Sequence, residues 1–195
     1  MIKFGNDIVT VGGDWLKYEE PEPPVEPTKL AEYLQQQITI YPNGYSNIFT
    51  NVSVTESNYA VVKVNYSQIQ GALVIGLTAG SSDVTVDVAT GSRQTINFTY
   101  ADLTNFVAYD GTVSGNVITL SNTHFITRVI FDFNARKVHF YDINNALIAS
   151  ADFYSGMHYT PVSIKLLDPS TSNQTRCYVS GEIWQCGTME QALSV

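Results

Sequence analysis

Carboxylate side chains are the first residues of this sequence that could do chemistry, because two of them facing one cleft can hydrolyse a glycosidic bond. Asp83 and Asp87 lie on one face of a predicted strand, with Val84 and Val86 between them. This pattern is typical of the solvated ends of a strand. Glu182 stands alone in its own predicted strand. The carboxylates therefore give no pair that favours general acid and base catalysis.

The histidines and cysteines give no pattern for nucleophilic or metal chemistry either. Residues 80–82, Gly-Ser-Ser, lack the strand-to-helix context of a nucleophile elbow, so we interpret them as a turn. Cys177 and Cys186 flank a single apparent strand or hairpin, show no zinc-site spacing, and are predicted to be reduced thiols. The histidines are far apart and match no metal or triad spacing: His124, His139 and His158. We predict no catalytic residue, no metal site and no cofactor.

Loop tyrosines are the remaining candidates for binding a ligand. Sugar C–H faces stack on aromatic rings while neighbouring polar groups hydrogen-bond the hydroxyls, so a glycan site needs one or two rings on a rigid support. Of the twelve tyrosines, these lie in predicted loops: Tyr45, Tyr109, Tyr154 and Tyr159. The alternative, which is the commoner use of loop tyrosines, is that they close the ends of the folded domain.

Charge and composition disfavour two classes of partner. The formal net charge is −8, and only ten Lys and Arg are scattered along the chain. Nucleic acids and anionic membranes are bound by clustered cations, so neither is expected here. Polar residues interrupt the N-terminal region where a secretory signal would be apolar, and no stretch approaches the length of a membrane span. We expect a protein that is made in a cytoplasm.

Residues 19–27, EEPEPPVEP, are predicted to be an extended spacer. Four of the nine are proline and four are glutamate, so the segment has few backbone donors and repels itself. Polyproline II at about 3.1 Å per residue would make it roughly 28 Å long. The spacer separates a short leader, residues 1–18, from a domain at residues 28–195.

The leader alternates turn signals with short apolar runs and is too short to bury its own apolar side chains. We therefore expect it to lie on a partner, with these side chains docking: Phe4, Val9, Val11, Trp15 and Leu16. The alternative is a frayed tail, which is the common fate of termini, although tails seldom carry so many large apolar residues.

A short helix is predicted directly after the spacer. Thr28 is a suitable N-cap residue, and Leu30, Tyr33 and Leu34 follow at helical spacing. Such a helix could pack on the domain or against copies of itself about a symmetry axis.

From residue 38 onward the sequence predicts β-structure almost throughout. In residues 93–100, Ile96, Phe98 and Tyr100 alternate with polar residues, which is the period of a half-buried antiparallel strand. The strongest local prediction is a meander of VIFDF, KVHFYDI and ALIAS within residues 129–150. Many short strands at this spacing indicate an all-β sandwich or barrel.

Two resemblances extend these predictions. The strands RVIFDF, KVHFYD and ALIAS, residues 128–150, resemble adjacent strands of concanavalin-like jelly rolls, the lectin and laminin-G type of sandwich. That resemblance implies an antiparallel, lectin-like β-sandwich. The layout of a leader MIKFGND-VTVGGDWLK, an acidic proline spacer and a β head is similar to head-fibre and related appendage proteins of crAss-like tailed phages. It implies that residues 1–18 dock on a capsid or other virion protein.

Together these patterns predict a non-enzymatic virion structural protein, assembled in the host cytoplasm, that displays a β-sandwich head with host-surface glycan as a candidate ligand. A free-standing carbohydrate-binding module is the alternative. Because one short peptide buries little apolar surface, attachment favours several copies acting together. We therefore expect a dimer or trimer, joined through Leu30, Tyr33 and Leu34 or through a face of the sandwich.

Overall fold

The computed structural model describes residues 10–11, 14–15, 26–55, 58–70, 74–79, 82–87, 95–98, 103–115, 117–121, 126–153, 162–168 and 173–195. In this part of the chain, strands account for almost all of the regular structure, and all of their pairings are antiparallel. The predicted all-β sandwich is confirmed.

A two-stranded hairpin comes first along the chain. Strands β1 (Thr10–Val11) and β2 (Asp14–Trp15) pair antiparallel, with Thr10 opposite Trp15 and Val11 opposite Asp14. Among the described strands, β1 and β2 form a sheet of their own. The connecting residues, 12 and 13, are both glycine.

Two seven-stranded sheets form the sandwich. The first sheet has the order β10-β11-β8-β7-β6-β15-β4, and the second has the order β3-β16-β5-β12-β13-β14-β9. Their strands are, along the chain, β3 (Thr28–Ile40), β4 (Tyr45–Val52), β5 (Tyr59–Gln70), β6 (Val74–Ala79), β7 (Ser82–Asp87), β8 (Thr95–Phe98), β9 (Leu103–Ala108), β10 (Gly111–Ser114), β11 (Val117–Leu120), β12 (Ile126–Asp132), β13 (Lys137–Asp142), β14 (Leu147–Phe153), β15 (Val162–Leu167) and β16 (Thr175–Cys186).

The predicted meander is formed by β12, β13 and β14 and is confirmed. An aspartate ends each of the first two strands and organises the turn that follows. Asp132 Oδ1 accepts a hydrogen bond from the Ala135 amide at 2.8 Å, and Asp142 Oδ1 accepts bonds from the amides of Asn144 and Ala146 at 2.8 and 2.9 Å. Aspartate favours such turns because its short side chain can bond backbone amides a few residues on. This explains why two carboxylates are buried at strand ends.

The main core lies between the two sheets and contains fully buried side chains from both. Phe140 on the second sheet and Ile118, Leu120, Ile164 and Leu166 on the first are 0% exposed. Where β3 and β4 link the sheets, the core is closed by an edge-to-face contact between Tyr33 and Phe49, whose ring centroids are 6.3 Å apart. Burial of this contiguous apolar surface is the main force that holds the sandwich together.

A short C-terminal helix, α1 (Met189–Ser194), covers part of the outer face of the second sheet. Thr188 caps it: the Gln191 amide donates to the Thr188 hydroxyl, and the Gln191 side chain accepts from the Thr188 amide. Ala192 is buried against a second apolar cluster on the outer face of that sheet, which includes Val61 and Ile130. Because α1 covers part of the outer face, consecutive residues of one strand can both be buried, one on each face of the sheet.

The predicted helix at Leu30, Tyr33 and Leu34 is wrong, because residues 28–40 form the thirteen-residue edge strand β3. Tyr33 faces the core, whereas Leu30 and Leu34 lie at two register shifts in the pairing with β16. Each shift places an extra residue in β3. A ten-residue helix would be marginal on its own, and the long ladder with β16 supplies backbone bonds that override the local propensity.

The two cysteines lie within one strand, β16, rather than on either side of it. Both are free and buried. Cys177 faces the main core, whereas Cys186 belongs to the cluster under α1. Nine residues of extended strand separate them by about 30 Å, far beyond the reach of a disulfide. Burial raises the pKa of the Cys177 thiol to about 11, so it behaves as an unreactive apolar group.

Candidate functional site

The most exposed aromatic side chains among the described residues flank the turn between β3 and β4. Tyr41 is 71% exposed and Tyr45 is 65% exposed. Tyr41 directly follows β3, and Tyr45 is the first residue of β4. We call residues 41–45 the tyrosine turn.

The tyrosine turn is held by backbone hydrogen bonds. The Gly44 amide donates to the Tyr41 carbonyl at 2.8 Å, with Pro42 and Asn43 between them and Asn43 at a φ of 55°. Proline at the second position and a positive φ at the third are features of a type II turn. The Asp168 amide, just beyond β15, donates to the Gly44 carbonyl at 3.0 Å. The first bond closes the turn, and the second fastens it to the end of β15 in the first sheet.

Two exposed asparagines lie close in sequence to Tyr41 and Tyr45. Asn43 in the turn and Asn47 on β4 are both exposed. Ser46 lies opposite the buried Leu166, so Tyr45 and Asn47, on either side of it, project away from the core. The turn thus combines two exposed rings with hydrogen-bonding amides on a fixed backbone, which is the arrangement that a sugar site requires.

The tyrosine turn lies at the end of the sandwich opposite the spacer. The chain enters β3 at Thr28 and leaves it at Ile40, twelve residue steps later. At about 3.3 Å per step the two ends of β3 are about 40 Å apart. The strand register supports this placement of the turn. Ile40 lies opposite Thr175, where β16 begins, and Arg176 lies opposite Gln70, where β5 ends.

The four tyrosines predicted as glycan candidates do not form one site. Tyr45 was predicted in a loop but begins a strand. Tyr109 follows β9, is 57% exposed, and its amide donates to the Ile148 carbonyl at 2.8 Å. It lies at the opposite edge of the second sheet from β3. Tyr154 and Tyr159 lie outside the described residues. The prediction omitted Tyr41, which lies at the other end of the tyrosine turn from Tyr45. The Pro-Asn-Gly sequence that follows Tyr41 indicates a turn and could have identified this residue.

The predicted oligomerisation residues are divided between surface and core. Leu34 is 73% exposed on the free edge of β3, and Leu30 is also exposed. Tyr33 is half-buried and packs on Phe49 within the same chain. Only the two leucines are therefore accessible to another copy.

Of the predicted docking residues, Val11 and Trp15 lie in the β1–β2 hairpin, one in each strand. Phe4, Val9 and Leu16 lie outside the described residues. The hairpin shows that the leader contains a paired element at the Gly12-Gly13 turn signal.

A charged cluster ties the start of β3 to its neighbours on the outer face of the second sheet. The Lys29 ammonium contacts Glu182 at 2.7 Å and Glu32 at 2.9 Å, and Lys63 lies 3.4 Å from Glu182. The Trp184 indole donates to Glu182 at 3.0 Å, and Lys29 lies 5.0 Å from the centre of its ring. The cluster contains two ammonium groups and two carboxylates, and each of them lies close to an opposite charge. We therefore interpret it as a structural contact that holds the start of β3, next to the spacer, on the sheet.

The pKa values in the cluster follow from these contacts. The hydrogen bond to Glu182, followed by that to Glu32, raises the pKa of Lys29 above its usual value. Partial burial works to raise the pKa of Glu182, but hydrogen bonds from Lys29 and Trp184 outweigh it and leave that pKa lowered. A lowered carboxyl pKa does not suit a general acid at neutral pH.

Arg128 lies beside the C-terminal segment. It donates to the Val195 carbonyl at 2.6 Å and also to the Asn145 side chain. These contacts join α1 and the β13–β14 turn to the sheet, which indicates a structural role for Arg128. His139 lies on β13 opposite Ile130, and burial lowers its pKa, so the imidazole is neutral at pH 7.

Among the residues that the structure describes, no group of three or more His, Cys, Asp or Glu side chains is arranged to hold a metal ion. In the same residues, no helix has the length and hydropathy needed to cross a membrane. No family model matches the chain, and a search of curated proteins finds no significant match.

Proposed function

We propose that this chain is a non-enzymatic structural protein of a virion, a head-fibre or other appendage anchored through residues 1–18. The observation that carries the proposal is the order along the chain, in which the proline-rich segment lies between a paired hairpin and the sandwich. The β1–β2 hairpin forms its own sheet, and the described core of the sandwich is built from residues 40–183. The lectin-like head would then project from the particle, which assembles in the host cytoplasm.

The proposed partner of the leader is a capsid or other virion protein. A hairpin of this size cannot bury its own side chains and is marginal in water by itself. Binding to a particle would supply the missing apolar surface to Phe4, Val9, Val11, Trp15 and Leu16. One copy would bind weakly, so we also propose a dimer or trimer, in which Leu30 and Leu34 on the free edge of β3 are the accessible contacts.

The test compares particle association of the full chain with that of two variants. Replacing Phe4 and Trp15 by alanine should abolish co-sedimentation with tailed-phage particles in a density gradient while leaving the melting temperature unchanged. Tyr109→Ala is the control, because it removes an aromatic ring that is exposed on the head and lies outside the leader. If the double variant sediments with the particles as the full chain does, the leader is not the anchor.

A free-standing carbohydrate-binding module is the second candidate, and the exposed rings of the tyrosine turn favour it. The two candidates differ in their dependence on the leader. A chain that binds glycan but never associates with particles, with or without residues 1–18, supports the module and contradicts the appendage.

A further inference from the structure

We infer that the tyrosine turn, residues 41–45, is a binding site for neutral carbohydrate at the end of the head farthest from the spacer. This deepens the proposed function, on which its biological role rests. Tyr41 directly follows the buried Ile40 and Tyr45 is the first residue of β4, yet both side chains leave most of their surface in water. One short turn thus presents two aromatic rings, each with a polar tip, to solvent.

The rigidity of the turn favours recognition over a purely structural role. Gly44 packs so closely on Tyr41 that a Cβ at residue 44 would lie 2.8 Å from the Tyr41 carbonyl oxygen. The bond from the Asp168 amide then fixes the same glycine to the end of β15. Because the backbone is already ordered, a ligand that stacks on the rings does not have to order it.

The side chains of the turn itself favour an uncharged ligand. Residues 38–55 contain no Lys, Arg, Asp or Glu, and the charged residue opposite them in the β15 register is Lys165, which pairs with Asn47. Asn43 and Asn47 provide amide donors and acceptors. Pyranose rings match this set, because their C–H faces stack on tyrosine while their hydroxyls bond amides. The net charge of −8 adds a reason to expect acidic glycans to bind less well.

The position of the site suits an appendage that meets a surface. The spacer joins β3 at Thr28, and the tyrosine turn follows Ile40 at the other end of the same strand. A pulling force between the anchor and a bound ligand would therefore be transmitted along β3, which pairs with β16 from Thr28 to Ile40. The charged cluster at Lys29 fastens the loaded end of that strand.

The test is a titration of the full-length chain, labelled with ¹⁵N, with maltohexaose, cellohexaose and chitohexaose as neutral probes. A heparin hexasaccharide is the acidic counter-probe. We expect amide shifts confined to residues 41–47 with at least one neutral probe at millimolar concentration, and no shifts there with heparin. Tyr41→Ala and Tyr45→Ala should each weaken binding at least tenfold without changing the melting temperature, because both side chains are mostly exposed.

Two sets of variants separate stacking from other causes. Tyr41→Phe and Tyr45→Phe keep the ring and should bind within about threefold of the unmodified chain, since stacking does not need the phenol hydroxyl. Tyr109→Ala removes an exposed tyrosine at the far edge of the same head and should leave binding unchanged. Equal losses in Tyr109→Ala and Tyr45→Ala would overturn the assignment to this turn.

Three further outcomes would overturn the inference. The first is the absence of shifts at residues 41–47 with every neutral probe at 10 mM, a concentration at which two stacked rings should be detected. The second is a response to the heparin probe alone. The third is a response of these residues to protein concentration alone, which would make the turn a contact between copies. Particle association is measured separately, so the anchor and the sugar site can fail independently.

Discussion

Two glycines in the β10–β11 hairpin offer a direct test of how closely this fold is packed. Gly111 has a φ of +147°, and a Cβ there would lie 2.2 Å from the Thr119 carbonyl oxygen. Gly115 also has a positive φ, +56°, but a Cβ there would meet nothing within 4 Å. Alanine at either position is strained by its backbone, and only alanine at 111 also collides with the facing strand.

The two substitutions should lower the free energy of unfolding by different amounts, because alanine at 115 strains only its own backbone whereas alanine at 111 also collides with the facing strand. At Gly115, left-handed backbone costs an alanine about 1–2 kcal/mol, and a less flexible unfolded chain offsets about 0.4–1 kcal/mol of this. The net loss is therefore about 1 kcal/mol. At Gly111 the clash with backbone forces β10 away from β11, a ladder of four residue pairs. At about 0.5–1.5 kcal/mol per hydrogen bond, the loss is about 2–6 kcal/mol, and we expect about 4 kcal/mol.

The assay is thermal denaturation of both variants, followed by circular dichroism. A domain of this size loses about 2–4 °C of melting temperature per kcal/mol, so Gly111→Ala should melt about 8–16 °C lower and Gly115→Ala about 2–4 °C lower. Hydrogen exchange should show lost protection in β10 and β11 for Gly111→Ala only. Equal losses of stability in the two variants would refute the steric argument.

The remaining predictions concern thiols, pH and the C-terminal helix. Alkylation of the unfolded chain without reductant should modify both Cys177 and Cys186, and mass measurement of an intact bridge would contradict the strand geometry. Because the folded pKa of Glu182 lies below its usual 4.5, its stabilisation is complete above that pH and is lost as pH falls through the folded pKa. Glu182→Gln should therefore melt below the unmodified chain at pH 7, and the two melting temperatures should converge as the pH falls below the folded pKa of Glu182. Ala192→Asp should cost about 2–4 kcal/mol by placing a carboxylate against the apolar cluster under α1, whereas Glu190→Ala, on the exposed side of the helix, should change the urea midpoint little.

Local pattern predicted most of the strands. Alternation in residues 93–100 located β8, and turn residues after Asp132 and Asp142 located the meander, because the side-chain bonds that organise those turns join residues a few positions apart. The Thr188-to-Gln191 capping box was also present in the sequence, but a six-residue helix leaves too weak a periodicity to predict.

The sequence by itself determined the class of fold and which residues were available for a site, since these follow from alternation, composition and turn chemistry. Tertiary structure decided the identity of β3. The core-facing residues of β3 are first Ala31 and Tyr33, at odd positions, and then Ile38 and Ile40, at even positions, because a register shift lies between the two pairs. Leu30 and Leu34 lie at the register shifts, and their spacing imitates that of a helix. The partner that resolves this ambiguity, β16, lies more than 130 residues later in the chain. The same pairing placed Tyr41 and Tyr45 at the end opposite the spacer, because the length and direction of an edge strand are set by the neighbour to which it bonds.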